Sequence, residues 1–216
     1  MYQTFLTPRL WLRPVARPDL PRLLDLDADP EVMRFISGGR PSSVTDYGGE
    51  DGLLERMSVY ADRPFGYFMA FEREPEAPEP EPPEPASRSA ASSRSLGRAG
   101  PKPDRGLEAQ SRFCGWFHLR PSVFDASMLE LGYRLRRDAW GRGLATEGSR
   151  ALLAHAFEEL DQRAVDACTV TENLGSIAVM MKCGMHFVGE RAHPRAEIKV
   201  QRYLVERPRP VLTRLE

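Results

Sequence analysis

A turn rich in glycine and arginine, residues 136–147, has the residue types that bind a pyrophosphate. Gly141 and Gly143 stand immediately before a pattern typical of a helix. Glycine has no Cβ and lets backbone amides approach an anion closely, and the first turn of a helix presents unpaired N–H groups at the positive end of its dipole. Positive charge for phosphate oxygens comes from Arg136, Arg137 and Arg142. We therefore predict that this turn holds two linked phosphates.

Two familiar phosphate motifs do not account for the turn. No Gly-Lys-Ser or Gly-Lys-Thr follows at the spacing of a Walker loop, and Gly141, Gly143 and Ala145 only approach the dinucleotide pattern G-x-G-x-x-G. A lone Gly-x-Gly also suits a plain strand-to-helix turn with a glycine at the N-cap. On this pattern alone, a phosphate site and a purely structural turn both stay open.

The histidines and cysteines give no pattern for a metal site. The four histidines lack ligand spacing, and Cys183 and His186, three residues apart, supply only two ligands. Three cysteines in 216 residues are a sparse, odd set rather than a disulfide framework, which favours a reducing compartment. We expect thiols packed in the core and no metal ion.

The overall composition excludes several classes of partner. Lysine and arginine number 30 against 31 aspartates and glutamates, whereas nucleic-acid binders usually carry a basic excess. The first nine residues lack the basic start and apolar run of a secretory signal, and no stretch reaches the roughly 20 apolar residues that span a membrane. We expect a cytoplasmic protein, a monomer or homodimer, that binds neither nucleic acid nor membranes.

Hydrophobic periodicity places the turn within a series of strands and helices, since alternation predicts strands and i, i+3, i+4 spacing predicts helices. Before residue 74 the predicted elements are a strand ending at Pro14, a helix capped by Asp19, helices over 29–38 and 46–60, and a strand over 65–71. After residue 110 they are strands over 113–119 and 129–135, a helix over 143–160, a strand over 164–170, a helix over 173–183, and strands over 187–190 and 198–205. We predict an α/β (α+β) fold with a mixed, mostly antiparallel central sheet flanked by helices.

A low-complexity segment interrupts the hairpin of the strands 65–71 and 113–119. Its first half is almost entirely glutamate, proline and alanine, and its second half is serine, alanine, glycine and arginine. Such a segment cannot bury enough apolar surface to offset the entropy of ordering it. We predict a disordered insertion over residues 74–110, between an N-terminal part, 1–73, and a second part, 111–206, with a tail at 207–216.

Two motifs in the second part resemble those of the GNAT acetyltransferase superfamily. Residues 130–147, ELGYRLRRDAWGRGLATE, resemble its central motif, and residues 173–185, NLGSIAVMMKCGM, resemble the pattern N-x-x-S-x-x-x-x-x-K-x-G-F that follows it. The opening TPRLWLR, residues 7–13, is similar to the branch that includes the ribosomal-protein alanine N-acetyltransferases. The resemblance implies a GNAT-like sheet, with 111–206 as the acyl-CoA-binding core, and acetyl-CoA as co-substrate.

The resemblance also implies a role for each matching position. Strand amides for the pantetheine arm would come from Tyr133, Arg134 and Leu135. The pyrophosphate would lie against Trp140, Gly141, Arg142, Gly143, Leu144 and Ala145. Asn173 would hydrogen-bond the cofactor, and Ser176 would lie near its sulfur. Two positions depart from the family pattern: Trp140, where glutamine or arginine is frequent, and Met185, where phenylalanine is frequent.

Acetyl transfer requires a group that takes a proton from the amine, because an amine with a pKa near 8 to 10 is mostly protonated at pH 7. Glu130, on the strand that would line the cofactor, could act directly or through water; a solvated or salt-bridged strand carboxylate is the alternative. Many GNAT enzymes place a tyrosine seven residues after the asparagine, where this chain has Met180. Ser176 is then the nearest donor for the leaving thiolate, unless its hydroxyl only helps to cap the helix.

The function that these residues predict is acetyl-CoA-dependent N-acetyl transfer to a primary amine, by direct attack in a ternary complex. The amine could belong to a protein N-terminus or to a small molecule. Two alternatives stay open: a non-catalytic acyl-CoA sensor on the same fold, favoured by the missing tyrosine, and a module that binds nucleotide phosphates.

Overall fold

The computed structural model describes residues 3–48, 52–73 and 111–208. Their strands are Phe5–Leu6 (β1), Leu10–Pro14 (β2), Gly66–Glu72 (β3), Arg112–Pro121 (β4), Leu129–Leu135 (β5), Ala164–Thr169 (β6), His186–Ala192 (β7) and Lys199–Glu206 (β8). Their α-helices are Leu20–Asp27 (α1), Pro30–Ser37 (α2), Val44–Tyr47 (α3), Leu53–Ser58 (α4), Leu144–Glu158 (α5) and Leu174–Lys182 (α6). The predicted insertion, 74–110, lies outside the described residues, as does most of the predicted tail.

The eight strands form one sheet in the order β1-β2-β3-β4-β5-β6-β8-β7. Every neighbouring pair is antiparallel except β5 and β6, so the predicted mixed, mostly antiparallel sheet is confirmed. The parallel pairing of β5 with β6 is confined to Leu129 with Val165 and Glu130 with Asp166. Beyond these two pairs the strands separate, which leaves residues 131–135 of β5 without a strand partner on that side.

Helices cover both faces of the sheet and create two apolar cores. One core lies between the sheet and the helices α5 and α6, and includes Phe117, Leu131 and Leu144. The other lies beneath α1 to α4 and includes Leu23 and Trp116. Strands covered on both faces lose the alternation of a half-exposed sheet.

Because helices cover both faces of the sheet, two strands are more deeply buried than alternation alone predicts. Residues 10–13 of β2 are buried at four successive positions. The alternation of Leu129 and Leu131 with Glu130 predicts a half-buried strand, yet Glu130, on the face opposite the two leucines, is only 4% exposed. Period-two alternation reports which face a residue occupies, but not whether a helix lies over that face.

Local signals set most helix ends. The Asp29 carboxylate accepts a hydrogen bond from the amide of Glu31 at 2.9 Å, and α2 ends at Gly38 with φ +68°, as the sequence predicts. Asp19 precedes α1 as predicted but makes no side-chain cap. Its buried carboxylate instead accepts two hydrogen bonds from the guanidinium of Arg13, at 2.6 and 2.7 Å.

Two other helix predictions are wrong. The single helix predicted over 46–60 is instead α3 and α4, and Gly48 and Gly52, poor helix formers, lie between them. The spacing of Ile177, Met180 and Met181 predicts that all three point inward, but Met181 is 63% exposed. Its neighbour Met180 is buried in the core under α5 and α6, with Ile177 packed against it, so α6 contacts the core along a narrow line.

Candidate active site

A cavity of about 780 Å³ opens where β5 and β6 separate. Its walls come from β4, β5, the end of β6, the glycine turn, the start of α5, most of α6, the helix α2 and the segment that leads into β8. Eleven of the residues assigned to the site from sequence line it: Glu130, Tyr133, Arg134, Leu135, Trp140, Gly141, Gly143, Leu144, Ala145, Asn173 and Ser176. Arg142 was assigned with them but is absent from the lining.

The glycine turn has a left-handed backbone at both of its glycines. Gly141 and Gly143 have φ values of +70° and +80°, and Gly143 is the N-cap of α5. This conformation costs an L-residue with a Cβ free energy, which explains glycine at both positions. Trp140 closes the start of the turn by donating from its indole N–H to the carbonyl of Leu135 at 2.9 Å. The first residues of α5, whose amides have no partner within the helix, line the cavity, as an anion site requires.

A carboxylate one turn into α5 anchors the turn to the start of the chain. Glu147 accepts hydrogen bonds from the Thr7 hydroxyl at 2.6 Å, the Arg9 amide at 2.8 Å and Arg9 Nε at 2.7 Å. Burial by itself would raise the pKa of Glu147, but these hydrogen bonds lower it below its usual value. Arg9 Nη1 also donates to the carbonyl of Arg142 at 2.8 Å, so one side chain contacts both the helix and the turn.

The three arginines predicted to hold phosphate are all paired with carboxylates. Arg142 pairs with Glu72, and Arg136 pairs with Asp25. Arg137 Nε lies 3.4 Å from Asp29. Exposed ion pairs contribute little to stability and can exchange for another anion, so the role of these arginines in phosphate binding stays a prediction.

Glu130 lies in a buried cluster of charges between β4 and β5. Its Oε1 accepts a hydrogen bond from Arg120 at 2.7 Å and lies 3.3 Å from His118 Nε2, while its Oε2 accepts from the amide of Val123 at 3.3 Å. Burial would raise the pKa of Glu130, but His118, Arg120 and the Val123 amide together lower it to about 2. From sequence, Glu130 could be either a catalytic base or a salt-bridged carboxylate. Its surroundings are those of a salt-bridged carboxylate.

His118 belongs to the cavity wall, although no pattern in the sequence indicated it. Its ring lies over Gly132 of β5, stacks on Trp116 with centroids 5.8 Å apart, and meets Tyr67 edge-on at 5.3 Å. Among the described residues neither ring nitrogen has a well-directed hydrogen bond, so the contact with Glu130 is close but poorly aligned. Burial lowers the pKa of His118 below its usual value, which favours a neutral ring at pH 7.

Arg134 uses its backbone and its side chain in different places. The predicted cofactor contact is through its amide, but this amide faces β4, as does that of Arg136, which donates to the carbonyl of Cys114, so only the amides of Tyr133 and Leu135 face the open edge of β5. Its buried guanidinium pairs with Asp27 at the end of α1 and lies over the ring of Trp116, 5.1 Å from the centroid. Tyr47 also donates to Asp27 at 2.8 Å. Asp27 and Tyr47 were missed from sequence. Asp27 lies 20 positions before Tyr47 and 107 before Arg134, and only the fold brings the three together.

The first turn of α6 brings two hydroxyl groups together beside the cavity. Asn173 Oδ1 accepts from the amide of Ser176 at 3.2 Å, which makes Asn173 the N-cap of α6. The Ser176 hydroxyl lies 3.3 Å from the hydroxyl of Tyr133. Burial raises the pKa of Tyr133, so this phenol stays protonated at neutral pH and can donate. Since Asn173 provides the cap with its own oxygen, the hydroxyl of Ser176 is not needed for it.

Two further observations concern the described residues as a set. Among them, no three histidine, cysteine, aspartate or glutamate side chains lie close enough together to hold a metal ion. Within the same part of the chain, no helix combines the length and the apolar composition required to cross a bilayer.

Comparison with known proteins gives results that agree with one another. Residues 9–186 match the family model described as an acetyltransferase (GNAT) domain. A curated relative from Aspergillus fumigatus, FsC-acetyl coenzyme A-N(2)-transacetylase, is 28% identical over 197 residues, which are 86% of this chain and 66% of that protein. The chain therefore spans just under two thirds of the length of this relative.

Solved structures of acetyltransferases have the same fold. The ribosomal L7/L12 alpha-N-protein acetyltransferase RimL, in complex with coenzyme A, superposes with a TM-score of 0.65 at 13% identity, covering 95% of this chain and 98% of that one. A spermidine N-acetyltransferase from Vibrio cholerae, in complex with CoA and spermine, gives a TM-score of 0.59 at 16% identity, covering 93% and 97%. At these identities the likeness concerns the fold alone.

Proposed function

The chain belongs to the GNAT acetyltransferase family, and from this premise we propose that it transfers the acetyl group of acetyl-CoA to a primary amine by direct attack in a ternary complex. One observation carries the proposal: a single cavity joins the unpaired edge of β5 to the glycine turn at the start of α5. An unpaired strand edge suits the amides of a pantetheine arm, and a helix N-terminus suits the pyrophosphate.

We propose that the predicted residues divide the cofactor between two parts of the cavity. The amides of Tyr133 and Leu135 would bind the pantetheine arm, and those of Gly141, Gly143 and Ala145 would bind the pyrophosphate. The chemistry supplied by acetyl-CoA is a thioester carbonyl that a neutral amine can attack. No metal ion is required for this reaction.

The surroundings of Glu130 suggest how it would act. With a pKa near 2 it is anionic at neutral pH and a poor proton acceptor. We propose that it stabilises the positive charge that develops on the attacking nitrogen, rather than holding the proton. As the C–S bond breaks, the leaving thiolate would receive a proton from Ser176, whose hydroxyl contacts the protonated phenol of Tyr133. The attacking nitrogen loses its proton to water, and a proton returns from water to Ser176, so that the neutral amine and acetyl-CoA give an amide and a thiol.

The direct test is release of coenzyme A from acetyl-CoA in the presence of a panel of primary amines and peptides. We expect amine-dependent thiol release, a mass gain of one acetyl group on the acceptor, and a reduced rate for Ser176→Ala with unchanged affinity for coenzyme A. If acetyl-CoA fails to bind, or if it binds and no acceptor is acetylated, the proposal is wrong.

A second candidate, an acyl-CoA sensor without catalysis, is favoured by the ion pair between Glu130 and Arg120 and by Met180 in place of a tyrosine. In that case tight binding of acetyl-CoA would accompany no thiol release with any acceptor. The same panel therefore decides between the two functions.

A further inference from the structure

One wall of the cavity is formed by α2 and by the segment that enters β8, and most of its surface is apolar. Val32, Phe35 and Ile36 stand at i, i+3 and i+4 and so share one face of α2. Ile198 and Val200 are two residues apart and point to the same side of the chain as it enters β8. This wall lies on the face of the sheet that carries Trp116, away from α5.

The charged groups on the same face are already neutralised within the fold. Arg134 pairs with the buried carboxylate of Asp27, and Glu130 pairs with Arg120 at 2.7 Å. Burial lowers the pKa of His118, so its ring is neutral near pH 7. Arg134 and His118 therefore offer no charge to a ligand, and the Glu130 carboxylate, already paired with Arg120, faces only the reacting nitrogen.

One carboxylate at the mouth of the cavity is only weakly engaged. Glu31, on the exposed side of α2, has Arg34 as its neighbour at 3.8 Å, and both side chains reach solvent. Such a pair contributes little and is easily exchanged. Lys182 also lines the cavity, but on α6, and His193 contributes a ring at the opposite end of the wall. The wall therefore offers apolar surface and a single available negative charge.

We propose that the acceptor is a primary amine that carries one positive charge on an apolar body of about the size of an aromatic ring. This inference rests on the proposed acetyl transfer and specifies the class of its acceptor. The acceptor's one nitrogen would pass Glu31 at the mouth and reach the thioester beside Glu130, while the body packs against Phe35 and Ile198. A polyamine would have to bury a second or third ammonium group against apolar side chains that have no carboxylate, which is unfavourable. Both an arylalkylamine and a peptide with an apolar first residue have this chemistry.

Steady-state acetylation by the purified chain tests the substrate class. The acceptors are phenethylamine, a tripeptide amide that begins with phenylalanine, and spermidine. We expect kcat/KM for at least one apolar acceptor to exceed that for spermidine by tenfold or more, and the two apolar acceptors distinguish a small amine from a peptide. Equal or faster turnover of spermidine would overturn the inference and leave the proposed function intact.

Substitutions on the two sides of the wall test the contact itself. Phe35→Ala and Ile198→Ala should each raise KM for the apolar acceptor at least fivefold, with no comparable change for methylamine. Val44→Ala is the matched control, because Val44 is an apolar side chain that is 61% exposed and does not line the cavity. If neither wall substitution changes KM for the apolar acceptor, the proposal is wrong.

A binding measurement separates failure of this inference from failure of the proposed function. Calorimetry with coenzyme A present should detect saturable binding of N-acetylphenethylamine, weakened at least fivefold by Phe35→Ala. If coenzyme A binds but neither N-acetylphenethylamine nor the N-acetylated tripeptide amide does, the substrate class is wrong whatever the turnover. If coenzyme A itself does not bind, the proposed function fails first.

Discussion

Gly132 of β5 lies directly beneath the imidazole of His118 on β4: a Cβ at position 132 would lie 2.5 Å from His118 Cε1 and 2.6 Å from Nε2. The ring cannot simply move away, because Tyr67 and Trp116 pack against it. The absence of a side chain at position 132 therefore decides how close His118 comes to Glu130 in the cavity wall.

Gly132→Ala should destabilise the protein by about 1–3 kcal/mol, the usual cost of inserting a methyl group into a packed region. Urea unfolding monitored by circular dichroism measures the change, and displacement of His118 should also lower kcat/KM. Gly175→Ala is the control, since its Cβ would meet only Asn173 Oδ1, at 3.8 Å. An alanine at position 132 that left stability unchanged would show that the ring can move freely.

Asp27→Asn should be strongly destabilising, by about 3–5 kcal/mol, because it leaves the buried guanidinium of Arg134 without a counter-charge. The free energy of unfolding in urea is again the measurement. Asp25→Asn removes the partner of Arg136 from an exposed pair nearby, and there we expect a loss below about 1 kcal/mol. Similar losses for the two variants would contradict the distinction between buried and exposed pairs.

Gly143→Ala should weaken coenzyme A binding at least tenfold, as measured by isothermal titration calorimetry. The left-handed backbone at this position costs an alanine about 1–2 kcal/mol, and the added Cβ would lie 3.4 Å from the guanidinium of Arg9, so the turn should shift. Gly38→Ala imposes the same strain at φ +68°, with no atom within 4 Å of its Cβ. That control should lose stability and keep its affinity for coenzyme A.

Stability should fall in acid, and the shifted pKa values give the range. Glu130 has its pKa lowered from 4.5 to about 2, so its contribution, about 3 kcal/mol, is complete above pH 4.5 and is lost as the pH falls towards 2. His118 acts in the same direction, since its lowered pKa means that the unfolded chain takes up a proton near pH 6.5 before the folded chain does. Stability should therefore decline from pH 6.5 downwards.

Unfolding in urea at a series of pH values from 7 to 3 checks this behaviour. In Glu130→Gln the decline below pH 4.5 should become shallower, because the titrating group is gone, although the variant is less stable at pH 7. An unchanged slope below pH 4.5 would mean that Glu130 titrates normally in the folded protein.

Local patterns in the sequence were sufficient for most of the fold. Strands and helices with regular periodicity fall within a few residues of the predicted limits, and Gly141 and Gly143 lie in a turn before α5, as predicted. The break between α3 and α4 was missed although Gly48 and Gly52 signalled it. The two-residue strand β1 is too short to have a period.

The chemistry of the site was harder to predict, because it depends on contacts between distant segments. The pairing of Arg134 with Asp27 joins residues 107 positions apart, and Arg142 reaches Glu72 across 70 positions. Neither partner could be inferred from spacing along one element. For the same reason, the sequence could not decide whether Glu130 was free or ion-paired, since Arg120 meets it only through the register of β4 with β5.

The contacts of Glu147 with Thr7 and Arg9 have a consequence for mapping the phosphate turn by mutagenesis. A change at either of the two early residues would move the turn without removing any group that touches phosphate. An affinity loss from Arg9→Ala, for instance, would look like the loss of a cationic ligand, although its charge is already used by a carboxylate. Two experiments can tell whether Arg9 only supports the turn or itself contacts phosphate. One is a substitution that preserves the hydrogen bonds to Glu147, and the other is a structure with coenzyme A bound.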